Sequence, residues 1–138
     1  MMVFSITHNP INEQSSSMPA PETGALVTFT GIVRNINNGK PVLEIEYEMY
    51  EKMVISEANK LIQKAIDKFK IQAIKVIHRT GVIGVGETAI WVGVTAMHRG
   101  AAFEANEWLM NQIKQLLPIW KKETYQDGQS EWVFCQHG

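Results

Sequence analysis

The sequence predicts an α+β domain, with two helices packed on a largely antiparallel sheet. Three observations lead there. Residues 51–69 and 101–117 carry apolar side chains at the three-and-four spacing of an amphipathic helix. The segments around them are rich in β-branched and aromatic residues, or alternate apolar with polar, as strands do. The resulting order is strand, strand, helix, strand, strand, helix, hairpin, which lacks the regular strand–helix alternation of a doubly wound parallel fold.

Taken in order, residues 1–23 contain Asn9-Pro10, Ser15-Ser16-Ser17, Pro19 and Pro21. That is turn and linker chemistry, with room for one short strand over 2–7. The remaining residues, 24–138, are expected to form one domain. Residues 25–33 read as a buried strand, and Gly31 inside it signals a bulge or a close backbone approach. Asn37-Asn38-Gly39 marks a turn. Then Leu43, Ile45, Tyr47 and Met49 alternate with Glu44, Glu46 and Glu48. The three carboxylates look like a catalytic cluster, but period two places them together on the solvated face of a strand.

The first helix has its apolar stripe at Val54, Ala58, Leu61, Ile62, Ala65, Ile66 and Phe69. Residues 71–79 and 88–97 are strands joined by Gly81, Gly84 and Gly86. Those glycines lack the G-x-G-x-x-G spacing and lead into a strand, so they predict a turn and no nucleotide loop. The second helix carries Ala102, Phe103, Asn106, Leu109, Met110, Ile113 and Leu117 near one face, and Pro118 ends it. Asp127-Gly128 joins the last two strands as a hairpin.

Composition narrows the function. The chain has 138 residues, 45% hydrophobic and 20% charged, as in ordinary globular proteins. Its 13 basic and 14 acidic residues leave a net charge of −1, which argues against a general nucleic-acid or anionic-membrane binder. The single cysteine, Cys135, suits a reducing compartment, and no signal peptide or membrane span is legible, so a cytoplasmic protein is expected. His8, His78, His98 and His137 show no metal-ligand spacing, and no metal or cofactor is expected. No nucleophile elbow, phosphate loop or H-e-x-x-H pattern occurs.

Cations at structural junctions remain. His98-Arg99 falls where a strand ends and a helix begins, a place suited to an anion, although such an arginine can equally pair with a nearby glutamate. His78-Arg79 precedes a glycine-rich turn and is read as structural. Arg34, at a strand end, could take phosphate bidentately or simply face solvent. Lys114 borders the apolar stripe between Met110 and Leu117. Partly desolvated there it is a usable nucleophile or base; otherwise its stem only covers the core. Alternation puts Lys121 on the face of Ile119 and Lys122 on that of Trp120. The four tryptophans are read as core or interface residues, and Cys135 as incidental.

Four ordered blocks carry a resemblance. They are Gly24-Ala25-Leu26-Val27-Thr28-Phe29-Thr30-Gly31-Ile32-Val33-Arg34-Asn35, Val76-Ile77-His78-Arg79-Thr80-Gly81, the segment from Val92 through His98-Arg99-Gly100 to Ala105, and Leu117-Pro118-Ile119-Trp120-Lys121-Lys122-Glu123. Together they resemble the large, catalytic subunit of molybdopterin synthase, the MoaE family. The resemblance implies an α/β hammerhead-type fold and a homodimer of large subunits within a heterotetramer. Each large subunit would bind a small ubiquitin-like sulfur-carrier subunit bearing a C-terminal thiocarboxylate. The implied activity is a sulfurtransferase step that converts cyclic pyranopterin monophosphate to molybdopterin in molybdenum cofactor biosynthesis. Lys114 and Lys121 fall on the family's catalytic positions. Arg34, His98 and Arg99 fall on its substrate-binding positions, with Ile32, Val33, Lys122 and Glu123 in the same segments. Ile32 stands where many relatives carry a basic residue, so a phosphate contact there is lost or moved. The competing class is a non-catalytic module that holds a phosphate ligand or a ubiquitin-like tail on the same fold.

Overall fold

The computed structural model describes residues 2–12 and 18–134. Cys135 and His137 lie outside the described residues. The elements are β1 (Met2–Thr7), β2 (Ala25–Ile32), β3 (Ile36–Asn37), β4 (Lys40–Met49), α1 (Glu51–Phe69), β5 (Ala73–Arg79), β6 (Gly81–Gly84), β7 (Thr88–Ala96), α2 (Arg99–Leu116), β8 (Ile119–Tyr125) and β9 (Ser130–Phe134). The predicted α+β class is what forms, and the predicted sheet divides in two.

The first sheet has the order β1-β5-β7-β2, antiparallel except for the parallel edge pair β1 and β5. Both helices lie on one of its faces, α1 against β1 and β5, α2 against β2 and β7. The helical stripes read from the sequence make this layer. Val54, Ala58, Leu61, Ile62 and Ala65 of α1 meet Ala102, Ala105, Leu109, Met110 and Ile113 of α2, over Ile74, Val76, Val92 and Val94. Complete burial of a side chain such as Ile62 or Leu109 stabilises the fold by about 2–3 kcal/mol. Phe103 was expected on that stripe but is 61% exposed, and Ala105 takes the inward position. On the opposite face Trp91 packs with Met18 and Ala73, so β7 is covered on both sides and reads as a continuous apolar run.

The second sheet runs β3-β4-β8-β9, with β6 on the free side of β4. Residues 81–84 were read as part of a turn; they pair instead with Glu44–Tyr47 of β4. Ile83 is fully buried beside Val33, Val42, Ile45 and Ala89. A register shift between Val42 and Glu44 turns Val42 inward and leaves Leu43 51% exposed, against the strict alternation expected there. Beyond it the expected alternation holds, with Ile45 inside.

The end of β2 links the two sheets. Its pairing with β7 shifts between Gly31 and Ile32, as the glycine in the strand suggested. A Cβ on Gly31 would lie 2.8 Å from Cγ2 of Ile90, so the two strands approach too closely there for a side chain. The chain leaving this bulge carries Ile32, Val33 and Arg34 over the second sheet.

Candidate active site

The bulged end of β2, the C-terminal end of α2 and the inner face of β4 and β8 enclose a cleft of about 720 Å³. Five strands and one helix deliver these polar groups. β2 leads into Arg34, the last turn of α2 supplies Lys114, and β8 supplies Lys121, Glu123 and Tyr125 at period two. Asn37 enters from β3, Tyr47 from β4 and His78 from β5. Phe29, Ile32, Ile36, Met110 and Ile113 make the apolar walls.

Lys114 is half-buried beside Met110 and Ile113, as its place on the helical stripe predicted. It also sits at the negative end of the α2 dipole, where a cation is favoured. Lys121 keeps 20% of its side chain exposed, and its Nζ stands 3.2 Å from Oε1 of Glu123. Glu123 is buried, and its Oε2 accepts from Asn37 Nδ2 at 2.6 Å and from the Tyr125 hydroxyl at 2.9 Å. Burial pushes the Glu123 carboxyl up. The Tyr125 hydrogen bond, the charge and hydrogen bond of Lys121 and the Asn37 hydrogen bond outweigh it and hold the carboxyl below its usual range. Burial first, and then the neighbouring carboxylate, raise the Tyr125 hydroxyl above its ordinary value.

His78 is buried at the back of the cleft, and its ring meets Tyr47 edge-on with centroids 5.1 Å apart. Burial lowers its pKa to about 4; the Arg79 carbonyl pulls upward and the charge of Lys114 adds to the lowering. The neighbouring Arg79 is a structural pin, as read, with NH1 2.7 Å from Glu87 Oε1.

Several expected site residues lie elsewhere. Lys122 faces away from the cleft, as alternation along β8 requires. Its Nζ is 3.5 Å from Glu46 and 5.3 Å from the centre of the Trp132 ring. His98 caps the start of α2 and Arg99 opens it, both exposed. The rise of a helix puts them about 24 Å from Lys114 along the axis. Arg34, Ile32 and Val33 do line the cleft, Arg34 and Ile32 exposed at its rim and Val33 buried in its floor. Asn37, His78 and Tyr125 were missed. Tyr125 was within reach, since period two from Lys121 and Glu123 leads to it; a turn asparagine and a buried histidine carry no such signal.

Cations over an apolar body suit a flat, anionic ligand. Among the described residues the lining holds no cysteine and no serine, and its nucleophile-bearing side chains include those of its lysines and Thr30, beside which a reactant can bring a nucleophile of its own. Among the described residues no cluster of His, Cys, Asp and Glu could hold a metal ion. No described helix is long and apolar enough to cross a membrane.

The family model described as MoaE protein matches residues 6–116. The chain belongs to the MoaE family. The molybdopterin synthase catalytic subunit of Bacillus subtilis is 39% identical over 132 residues, covering 94% of this chain and 83% of that one. The protein of the same name from Pyrococcus abyssi is 38% identical over 119 residues, covering 86% and 80%. Among solved structures, molybdopterin synthase from Staphylococcus aureus superposes with a TM-score of 0.86 at 32% identity, covering 93% of this chain and 94% of that one. MoaE membership thus embraces both sheets, both helices and the cleft between them.

Proposed function

We propose that this chain is the catalytic subunit of a molybdopterin synthase. It moves sulfur from the C-terminal thiocarboxylate of a small ubiquitin-like subunit onto cyclic pyranopterin monophosphate, and works in the cytoplasm. The observation that carries the reading is that Lys114 and Lys121, from different elements and 7 positions apart in the chain, line one cleft together with Arg34.

Arg34 at the rim is placed to take a phosphate, with two parallel donors for two oxygens. The apolar walls fit the flat ring system beside it. A thiocarboxylate enters as the nucleophile, so the protein needs only to orient it and to answer the charge that develops. Lys114 and Lys121 are the ammonium groups on hand to stabilise an oxyanion and to pass protons. Phe29, Ile32 and Ile36, 40%, 59% and 49% exposed around the cleft, offer apolar surface for an incoming protein tail to cover. Lys122, turned to the opposite face, supports the outer sheet through Glu46 and Trp132 and has no reach into this chemistry.

The direct test supplies the chain with the thiocarboxylated small subunit and cyclic pyranopterin monophosphate, and assays molybdopterin. Transfer is expected, with a loss of about a hundredfold or more in Lys114→Ala. Complex formation without product would make the chain a binding module, and full transfer by Lys114→Ala would remove that lysine from the mechanism.

A further inference from the structure

Lys121 is a flexible side chain given a fixed partner. A lysine ammonium rides on a four-carbon stem and can swing among many rotamers. The partner cannot. Glu123 is 4% exposed, and three donors engage both of its oxygens: Lys121 on Oε1, Asn37 and Tyr125 on Oε2. The two neutral donors come from separate elements. Tyr125 stands two residues along β8. Asn37 is held by its pairing with Lys40, before a tight turn with φ of 50° at Asn38 and 77° at Gly39. Oε2 is thereby occupied from two directions, and Oε1 is left aimed at Lys121.

We propose that Asn37 and Tyr125 are positioning residues for Lys121, acting through Glu123, and that Glu123 serves as a fixed counter-charge and not as a contact for the substrate. A buried ion pair adds little net stability compared with apolar packing. What such a clamp supplies is a preorganised charge, one whose location costs no reorganisation when negative charge develops beside it. The depressed Glu123 carboxyl fits this role, because the clamp works only while that group is ionised. Tyr125 donates only while its own hydroxyl keeps its proton, and the upward shift of that group secures it.

The kinetic part of the test rests on the proposed sulfur transfer; the chemical part does not. The variants are Tyr125→Phe, which removes one oxygen and keeps the ring, and Asn37→Ala. The first readout is the rate at which an acylating reagent modifies Lys121 in the full chain, followed by mass spectrometry against the exposed Lys60. Each variant is expected to raise the Lys121 rate about threefold, the effect of losing part of a charge-assisted hydrogen-bond set, with Lys60 unchanged. The second readout is steady-state sulfur transfer, where kcat is expected to fall about tenfold while KM stays within about twofold, as for a group that acts in the transition state. An unchanged Lys121 rate in both variants overturns the proposal, as does a raised rate with kcat unaltered. Failure of the unmodified chain to transfer sulfur would instead overturn the proposed function, leaving the labelling result to decide the clamp.

Discussion

At the scale of single residues, His78 shows how one backbone contact limits what a side chain can do. Its Nδ1 lies 2.8 Å from the Arg79 carbonyl oxygen. A carbonyl can only accept, so Nδ1 carries the hydrogen and the neutral ring leaves Nε2 as a bare acceptor. His78-Arg79 was read as a structural dipeptide. Arg79 bears that out through Glu87, but His78 also lines the cleft, because neighbours on a strand point to opposite sides. Its titration should be visible in stability. The folded-state pKa, about 4, lies below the unfolded value of 6.5, so protonation favours the unfolded chain. The contribution is complete above the unfolded value and is lost as pH falls through the folded one. At pH 4.5 the expected loss is about 2–3 kcal/mol relative to pH 7.5. Urea unfolding of the intact chain and of His78→Gln at both values measures it. The intact chain should lose more stability than the variant by that amount, and equal losses would refute the assignment.

At the scale of elements, the legible features were those written in local periodicity. Both helical stripes, the alternation along β8 and the strand glycine at Gly31 could be read because 3.6 and 2.0 residue repeats show directly in a list of residues. The irregularities that shape the cleft could not. The shift between Val42 and Glu44 exposes Leu43, an inversion that depends on the partner strand β8 and leaves no mark in β4 itself. Val82 and Ile83 look like part of a glycine-rich turn until the free edge of β4 is there to pair with them. The β2 bulge gives the testable case. Gly31→Val would bring a branched side chain against Ile90, which is buried and stiff at its own β-carbon. Overpacking of this kind should cost about 1–3 kcal/mol in denaturant unfolding. The displaced strand end carries Arg34, so KM for the phosphate substrate should rise more than kcat falls. Unchanged stability would mean that β2 and β7 separate freely at this point.

At the scale of the whole molecule, a net charge of −1 conceals where the charges sit. Sequence reasoning placed Arg34, His98, Arg99, Lys114 and Lys121 in one site, and one copy of the chain cannot do this. His98-Arg99 and Lys114 occupy opposite ends of the same continuous helix, about 24 Å apart along its axis, and no motion short of unwinding α2 unites them. If both groups act on one substrate, they come from two copies. A two-fold dimer meets the need, since the contact that brings Arg99 of one copy to the cleft of its partner repeats itself in reverse. The consequence is measurable by mixing two inactive variants, Lys114→Ala and Arg99→Ala. After exchange about half of the dimers are mixed, and each mixed dimer holds one cleft with both residues intact and one with neither, so about a quarter of full activity should return. In an arrangement where each cleft draws both residues from its own chain, the mixture would stay inactive at every ratio. Activity in Arg99→Ala alone would take that residue out of the reaction altogether, and leave Arg34 as the cation that meets the phosphate.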